Sequence, residues 1–405
     1  MRLLIVHQNF PAQFAPVALA WQHKPGWDVR ALGRDSAPGL PGFDRLLRYQ
    51  LARKGRQQQH PYLRQLEAAT LHGQAAARAM LRLRSAGFTP DVILAHPGWG
   101  ETLYARDVFP QARLVHLCEW YYAAEGADLG FDPEFPIAFD DRARIRTWNA
   151  LHALNLEQCD AAVAPTEWQR SRHPAVFRDK ISVCHEGIAV GAFAPDPAAV
   201  LRLSNGVVLR AGDPVVTYVS RNLEPYRGFH VFMRALERMQ RHHKRLHALV
   251  IGGNDVSYGK RPKGFANWRD RMLSEVTIDP ARTHFLGRVP KAAYARALQI
   301  SAAHVYLTYP FVLSWSLLEA MASAAPIVAS ATAPVREVLR DGDTARLVDF
   351  FAVERLADAV LETLADRAEA RATGERARLD ARRYDQALGI AGYEALVKEG
   401  GASAG

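Results

Sequence analysis

From His304 to Ser330 the chain reads HVYLTYPFVLSWSLLEAMASAAPIVAS: a buried strand, a loop, a helix carrying one carboxylate, and a second buried strand. That order is the repeating unit of a parallel α/β sheet, and it restricts the fold more than any other stretch of the sequence. The run VYL is stopped by Tyr309-Pro310, and Ser314 is placed to cap a helix from about Trp315 to Ala324. Backbone N–H groups at Ser314, Trp315 and Ser316 then make an electropositive helix start at the carboxyl edge of the sheet, where open α/β folds bind phosphate. Glu319 lies four residues past Trp315 on the same helical face. From there a carboxylate can accept hydrogen bonds from both hydroxyls of a ribose whose phosphates rest on the helix end.

Strand-like runs alternate with helical patterns along the whole chain. RLLIV (2–6), WDVRAL (27–32), DVILAH (91–96), ARLVHL (112–117), AAVAP (161–165) and ISVCH (181–185) form one series. A second follows with PVVTYVS (214–220), HALVIGG (247–253), THFLG (283–287), AHVYLTY (303–309), APIVAS (325–330) and ARLVD (345–349). The pattern predicts an α/β protein of two Rossmann-like, doubly wound parallel-sheet domains, residues 1–195 and 205–383. The stretch 191–212 between them, with its FAPDPAAV and NG, reads as linker and turn. A final helical segment, 384–399, comes after the second sheet is complete. At 405 residues and 49% apolar, the chain can bury two cores of ordinary size.

Composition narrows the setting. Cys118, Cys159 and Cys184 are widely spaced and contain no C-x-x-C pair, so neither a disulfide framework nor a thiolate zinc site is expected. No apolar run approaches the roughly 20 residues of a membrane span, and RLLIV without a cleavage pattern reads as a first strand, so a cytoplasmic location is expected. The net charge of +9 is uneven: residues 1–90 hold 13 Lys and Arg against 4 Asp and Glu, and residues 91–200 reverse this with 9 against 16. The basic excess gathers between Arg45 and Arg84. It reads as a solvated face, or as a surface for anionic headgroups at the inner face of a membrane or for an anionic glycan. Nucleic acid is not an expected partner, because no helix-turn-helix, RNA-binding aromatic pattern or zinc-finger spacing accompanies the charge.

The segment LLEAMASAAPIVAS resembles the LLEAMACGxPVVAS signature of the retaining, GT-B-fold glycosyltransferases of family 4, and the likeness extends along most of the chain. The resemblance implies two domains facing across a cleft, with the last helix crossing back onto the first domain. It also implies sugar transfer from a nucleotide diphosphate sugar to a hydroxyl acceptor, whether glycan, lipid-linked or small molecule, with retention and with no metal or other cofactor. Glu319 matches the second Glu of the family's E-x7-E pair. The first falls on Phe311, so the step that holds the donor sugar departs from the pattern. Arg221 and Arg227 align with the Arg and Lys that the family directs at the donor diphosphate, and the guanidinium fork suits phosphate oxygens. Gly252 and Gly253 end the next strand, as glycines do where a backbone turns tightly or approaches a ligand. Arg288 and Val289 lie in the segment that resembles the family's nucleobase-holding loop, which acts mainly through backbone groups and leaves the base unread.

In the first domain His96 ends DVILAH and matches the family histidine near the donor sugar and attacking hydroxyl, although a strand-end histidine is also often a structural hydrogen-bonder. With Glu119 it is expected to orient the reacting sugar and acceptor. Trp120 and Tyr121 read equally as a sugar platform and as packing. Asn9 and Gln13 are the polar groups of the first turn, expected to contact acceptor or phosphate. His185-Glu186-Gly187-Ile188 resembles the hinge-side PNG[VI]D element. Asp341-Gly-Asp343 reads as a β-turn rather than a metal site, and His242-His243 lacks nearby ligands. Two other readings stand beside the transferase: an epimerase or phosphorylase on the same scaffold, and a catalytically silent nucleotide-sugar binder suggested by Phe311.

Overall fold

Strand β1 (Arg2–Val6) sets the plan of the first sheet, because its apolar run is buried on both faces: Leu3 and Ile5 enter one core, Leu4 and Val6 the other. Around it, in a computed structural model describing residues 1–399 except 54, 56 and 57, lie β2 (Asp28–Arg34), β3 (Leu46–Tyr49), β4 (Val92–Ala95), β5 (Arg113–Leu117), β6 (Ala161–Ala164) and β7 (Ile181–Val183). Their order is β3-β2-β1-β4-β5-β6-β7, with every neighbouring pair parallel. One face is covered by the helix Arg64–Ser85 through Ala76, Ala79 and Met80. The other is covered by the helix Ala15–Trp21 and by the last helix, Gln386–Lys398, which buries Tyr393, Leu396 and Val397 against Ile5 and Leu94.

The second sheet consists of β10 (Val215–Asn222), β11 (His247–Gly253), β12 (Thr283–Gly287), β13 (Ala303–Tyr306), β14 (Ile327–Ser330) and β15 (Arg346–Val348), preceded by a hairpin of β8 (Val200–Arg202) and β9 (Val208–Arg210). Its order, β12-β11-β10-β13-β14-β15, is also wholly parallel. In both sheets the order of the strands reverses once, between β1 and β4 and between β10 and β13, and this switch point is where open α/β sheets leave a crevice beyond their carboxyl ends.

The chain divides into two compact units, Met1–Gly187 with the segment from Gln386 onward, and Ile188–Asp385. Residues 191–212 are therefore not a linker. Phe193, Ala199, Leu201 and Leu209 are buried in the second unit, packed on Val215, Leu249 and Leu317, and the short antiparallel hairpin was hidden by its proline- and turn-rich composition. The strand β3 was missed as well, since its four residues include Arg48 and carry little apolar signal. Among the described residues no helix is long and apolar enough to cross a membrane. Lys54 and Arg56 of the basic stretch lie outside the described residues. Arg64, Arg78 and Arg82 of the same stretch are exposed on the helix Arg64–Ser85.

The helix expected to end at Ala324 stops at Ala322. Ala324 N–H bonds Met321 O at 2.9 Å and Ala325 N–H bonds Ala320 O at 3.1 Å, a Schellman ending that puts Ala324 at φ +52°. This position matches the glycine of the family signature, and alanine there carries left-handed strain. Replacing Ala324 by Gly is expected to stabilise the protein by about 1 kcal/mol, since the relief in the folded state exceeds the extra entropy of an unfolded glycine. Urea denaturation of the variant checks this, and a loss of stability would show that the alanine methyl is needed for packing.

Candidate functional site

In the first unit the site residues gather at the carboxyl ends of β1 and β4. Val6 and Ala95 are register partners, so His7 and His96 leave the sheet side by side, with ring centroids 5.3 Å apart. The loop after β4 is pressed into place by two glycines. A Cβ at Gly100 would stand 2.2 Å from Ala69 O, and one at Gly73 would stand 2.7 Å from Gly100 O, so helix and loop touch backbone to backbone. Trp99 stacks on His96 at 4.4 Å, and Tyr49 donates to Glu101 Oε1 at 2.6 Å beneath the loop.

Hydrogen bonds settle the tautomers. His96 Nδ1 accepts from Gly98 N–H at 3.1 Å, which leaves the proton on Nε2, facing Glu119 Oε2 at 3.4 Å. His7 Nδ1 accepts from Asn9 N–H at 2.9 Å, and its Nε2–H donates to Gln13 Oε1 at 3.1 Å. Gln13 in turn donates to Glu119 Oε1 at 3.2 Å. Glu119 thus takes both of these donors and stays part-exposed. Burial, with the charge of His96, lowers the His7 pKa to about 3, so this ring is neutral across the physiological range. Of the residues expected here, His96, Glu119 and Gln13 are brought together, whereas Asn9 joins only through its backbone. His7 was missed, although a histidine at the end of a second adjacent strand was the signal. Trp120 is buried and Tyr121 packs against the core, which favours packing over a sugar platform for both.

The second unit places its residues at the carboxyl ends of β10, β11 and β13. Arg221 is exposed and makes no hydrogen bond or ion pair with any described residue. Arg227 is buried instead: its Nη1 donates to Thr308 Oγ1 at 2.8 Å and Val312 O at 2.9 Å, with Tyr306 Oη at 3.4 Å. The guanidinium therefore spans the switch-point crevice between the loops after β10 and β13. Gly228, at φ +66°, lets this turn pass Leu307, whose Cβ would lie 2.4 Å from a side chain there. Phe311 is buried, edge-on to Tyr226 at 5.8 Å and Tyr258 at 4.9 Å.

Ser314 caps the helix Trp315–Ala322 through Ser316 N–H, a long contact of 3.4 Å, and the two hydroxyls are 3.0 Å apart. Trp315 is exposed beside them. Glu319 accepts from Tyr294 Oη at 2.7 Å through Oε2, while Oε1 bonds no described residue. Burial raises the Glu319 carboxyl above its ordinary range, opposed by the Tyr294 hydroxyl and by Lys291. Gly252 and Gly253 are tight: a Cβ at the first would meet Ser220 O at 2.8 Å, at the second Asn222 Oδ1 at 2.5 Å. Arg288 is exposed and reaches Asn222 Oδ1 at 3.3 Å, and Val289 packs half-buried on the core. The Asp341 and Asp343 carboxylates serve the turn, receiving Leu347 N–H at 2.8 Å and Arg340 at 2.8 Å. Sequence reasoning missed Glu224, which is fully buried, and Tyr294, neither of which stands in a recognisable motif.

Residues 25–193 match the model for the glycosyl transferase family 4 group, and residues 203–380 match that for glycosyl transferases group 1. A D-inositol 3-phosphate glycosyltransferase of Nocardia farcinica is 29% identical over 202 residues, 49% of this chain and 43% of that protein. The Kribbella flavida protein of the same description is 27% identical over 72% of this chain and 67% of its own length. The chain spans about half the length of most such relatives. Among solved structures, sucrose-phosphate synthase from Thermosynechococcus elongatus superposes with a TM-score of 0.75 at 17% identity, covering 100% of both chains. The Anabaena HepE complex with UDP-glucose gives 0.69 at 15% identity, covering 98% of this chain and 100% of that one. These likenesses establish the GT-B fold.

Two outcomes follow from the geometry. Arg227→Ala should cost about 2 to 4 kcal/mol in urea denaturation, because it strands buried acceptors on two loops, whereas exposed Arg221→Ala should change stability by less than about 0.5 kcal/mol. Equal effects would mean that the bridge of Arg227 contributes nothing net. Acid should also destabilise the protein early. His7, His116 and His304 are each held to about 3, so only the unfolded chain takes up their protons. Stability present above pH ~6.5 is then lost as pH falls toward 3, by up to about 1.4 kcal/mol per pH unit for each histidine. His7→Gln should make the measured slope shallower by about one proton.

Proposed function

Since this chain belongs to the group 1, family 4 glycosyltransferases, we propose that it moves a sugar from a nucleotide diphosphate sugar to a hydroxyl acceptor, with retention and without a bound metal. The observation that carries the reading is the edge of the second sheet. There an exposed Arg221, a capped helix start at Ser314 and a carboxylate one turn further in, Glu319, lie on one α/β unit in the order that a diphosphate and a ribose require. In the transfer, the bond from the anomeric carbon to the diphosphate oxygen breaks and its electron pair leaves with the diphosphate. The acceptor oxygen bonds the anomeric carbon and passes its proton to the departing diphosphate oxygen. Arg221 and the helix amides stabilise the charge growing on the leaving group, the term expected to dominate such a reaction.

Glu319 takes the ribose through its uncommitted Oε1, with Tyr294 steadying Oε2. Arg227 contributes indirectly in this reading, by holding the loop that leads into the helix. In the first unit, His96 and the carboxylate of Glu119 orient hydroxyls, with Gln13 and His7 fixing the carboxylate. The acceptor is a glycan, a lipid-linked sugar or a small molecule, and the relatives described as acting on D-inositol 3-phosphate make a phosphorylated polyol one candidate. A cytoplasmic setting belongs to this reading, and Arg64, Arg78 and Arg82 give any contact with anionic lipid a place.

The burial of Phe311 where a sugar-holding carboxylate is usual favours one rival, a silent nucleotide-sugar binder. A thermal-shift panel of UDP, GDP and ADP with and without attached sugar, followed by product analysis with and without acceptor, separates the two. Binding without turnover on any donor would establish the silent protein, and rearrangement of donor alone an epimerase. Glu319→Ala should weaken nucleotide diphosphate binding by roughly 1.5 to 3 kcal/mol with the fold intact, the worth of hydrogen bonds to a charged group. Calorimetric titration decides it, and unchanged affinity removes Glu319 from the site.

A further inference from the structure

We propose that Tyr258 is the donor-sugar specificity residue of this chain, standing where the missing carboxylate at position 311 would otherwise meet the sugar. This rests on the reading of the second unit as the donor half. Three loops converge at the carboxyl edge, from the adjacent strands β11, β10 and β13, and each supplies one part. The β13 loop supplies Phe311, whose ring is 4% exposed and turned edge-on to Tyr258 at 4.9 Å. The β10 loop supplies Arg227, whose guanidinium lies over the Tyr258 ring at 5.6 Å. The β11 loop carries Tyr258 itself, 39% exposed with one side of the ring backed by these groups.

Its position is set by Glu224. This carboxylate is fully buried and accepts three successive backbone N–H groups, from Ser257 at 3.0 Å, Tyr258 at 3.1 Å and Gly259 at 3.0 Å. Asn222 adds a bond to Ser257 Oγ at 2.7 Å. A loop tied by so many bonds at consecutive residues holds the intervening side chain in one place, and a buried carboxylate with three donors is not easily replaced. A carboxylate can only accept hydrogen bonds from sugar hydroxyls. A tyrosine offers a ring face to the C–H side of a hexose and a hydroxyl that both donates and accepts. The ligand class is therefore a nucleotide hexose whose sugar is held by ring contact and one hydroxyl, with Phe311 acting as the backstop of that ring.

The test is calorimetric titration of wild type, Tyr258→Phe and Tyr258→Ala with UDP and UDP-glucose, and with GDP and GDP-mannose. In wild type the attached sugar should add affinity over the bare diphosphate for at least one pair. Tyr258→Ala should lose at least tenfold in affinity for that nucleotide sugar and less than threefold for its diphosphate. Tyr258→Phe should fall between, because it keeps the ring. Glu224→Gln, which turns an amide N–H₂ toward backbone donors, should lose the same sugar increment. Sugar increments unchanged in both Tyr258 variants overturn this proposal alone, since the diphosphate would still bind. A wild type that binds no nucleotide in any pair overturns the donor-half reading and this proposal with it.

Discussion

One buried guanidinium organises the second unit. Removing Arg227 from water is costly, by several kcal/mol before compensation, and is tolerated only because its hydrogen bonds are met on the far side of the crevice. Thr308 Oγ1 and Val312 O supply them, with the ring of Tyr258 closing over the plane. The consequence is that the loop after β13 is not free to adjust. Its residues 309–313 are held against the turn after β10, Phe311 is driven into the aromatic cluster, and the helix bearing Glu319 begins where that loop lets it. A lysine at this position offers a point charge in place of the planar fork that here joins a hydroxyl and a carbonyl of the opposite loop.

The architecture was legible because buried parallel strands write themselves as short continuous apolar runs, and twelve of the thirteen strands of the two parallel sheets carry that signal, β3 being the exception. Elements with weak apolar content were not legible: β3 and the β8–β9 hairpin depend on partners supplied by the fold. The site divides the same way. His96, Glu119 and Glu319 sit at strand ends or one turn into a helix, where the pattern itself marks them. Whether an arginine five residues past a strand faces solvent or a crevice depends on the neighbouring loop, which no linear spacing records. Arg221 and Arg227 look alike in the sequence and differ completely in burial. Glu224 and Tyr258 escaped notice for a related reason, since their partnership joins loops 33 to 35 positions apart in the chain.

In the first unit the same economy of protons appears in another form. His7, Gln13, Glu119 and His96 form one directed chain of donors, each ring nitrogen assigned by a backbone N–H two residues on. Because His7 stays neutral, the direction of the chain does not reverse in mildly acidic solution, and the carboxylate at its end keeps the same lone pairs available.

The return of the final helix to the first unit has a consequence for how the molecule is made. Ile188 N–H bonds Tyr384 O at 2.8 Å, so the second unit begins and ends at one place and is topologically an insert. It can close on itself as soon as residue 385 is available. The first unit, although synthesised earlier, keeps one face of β1 and β4 only partly covered, by the helix Ala15–Trp21, until the thirteen residues Gln386–Lys398 arrive. The half of the chain that is translated first is therefore the half that finishes folding last, and any shelter its apolar face needs in the interval must come from outside its own sequence.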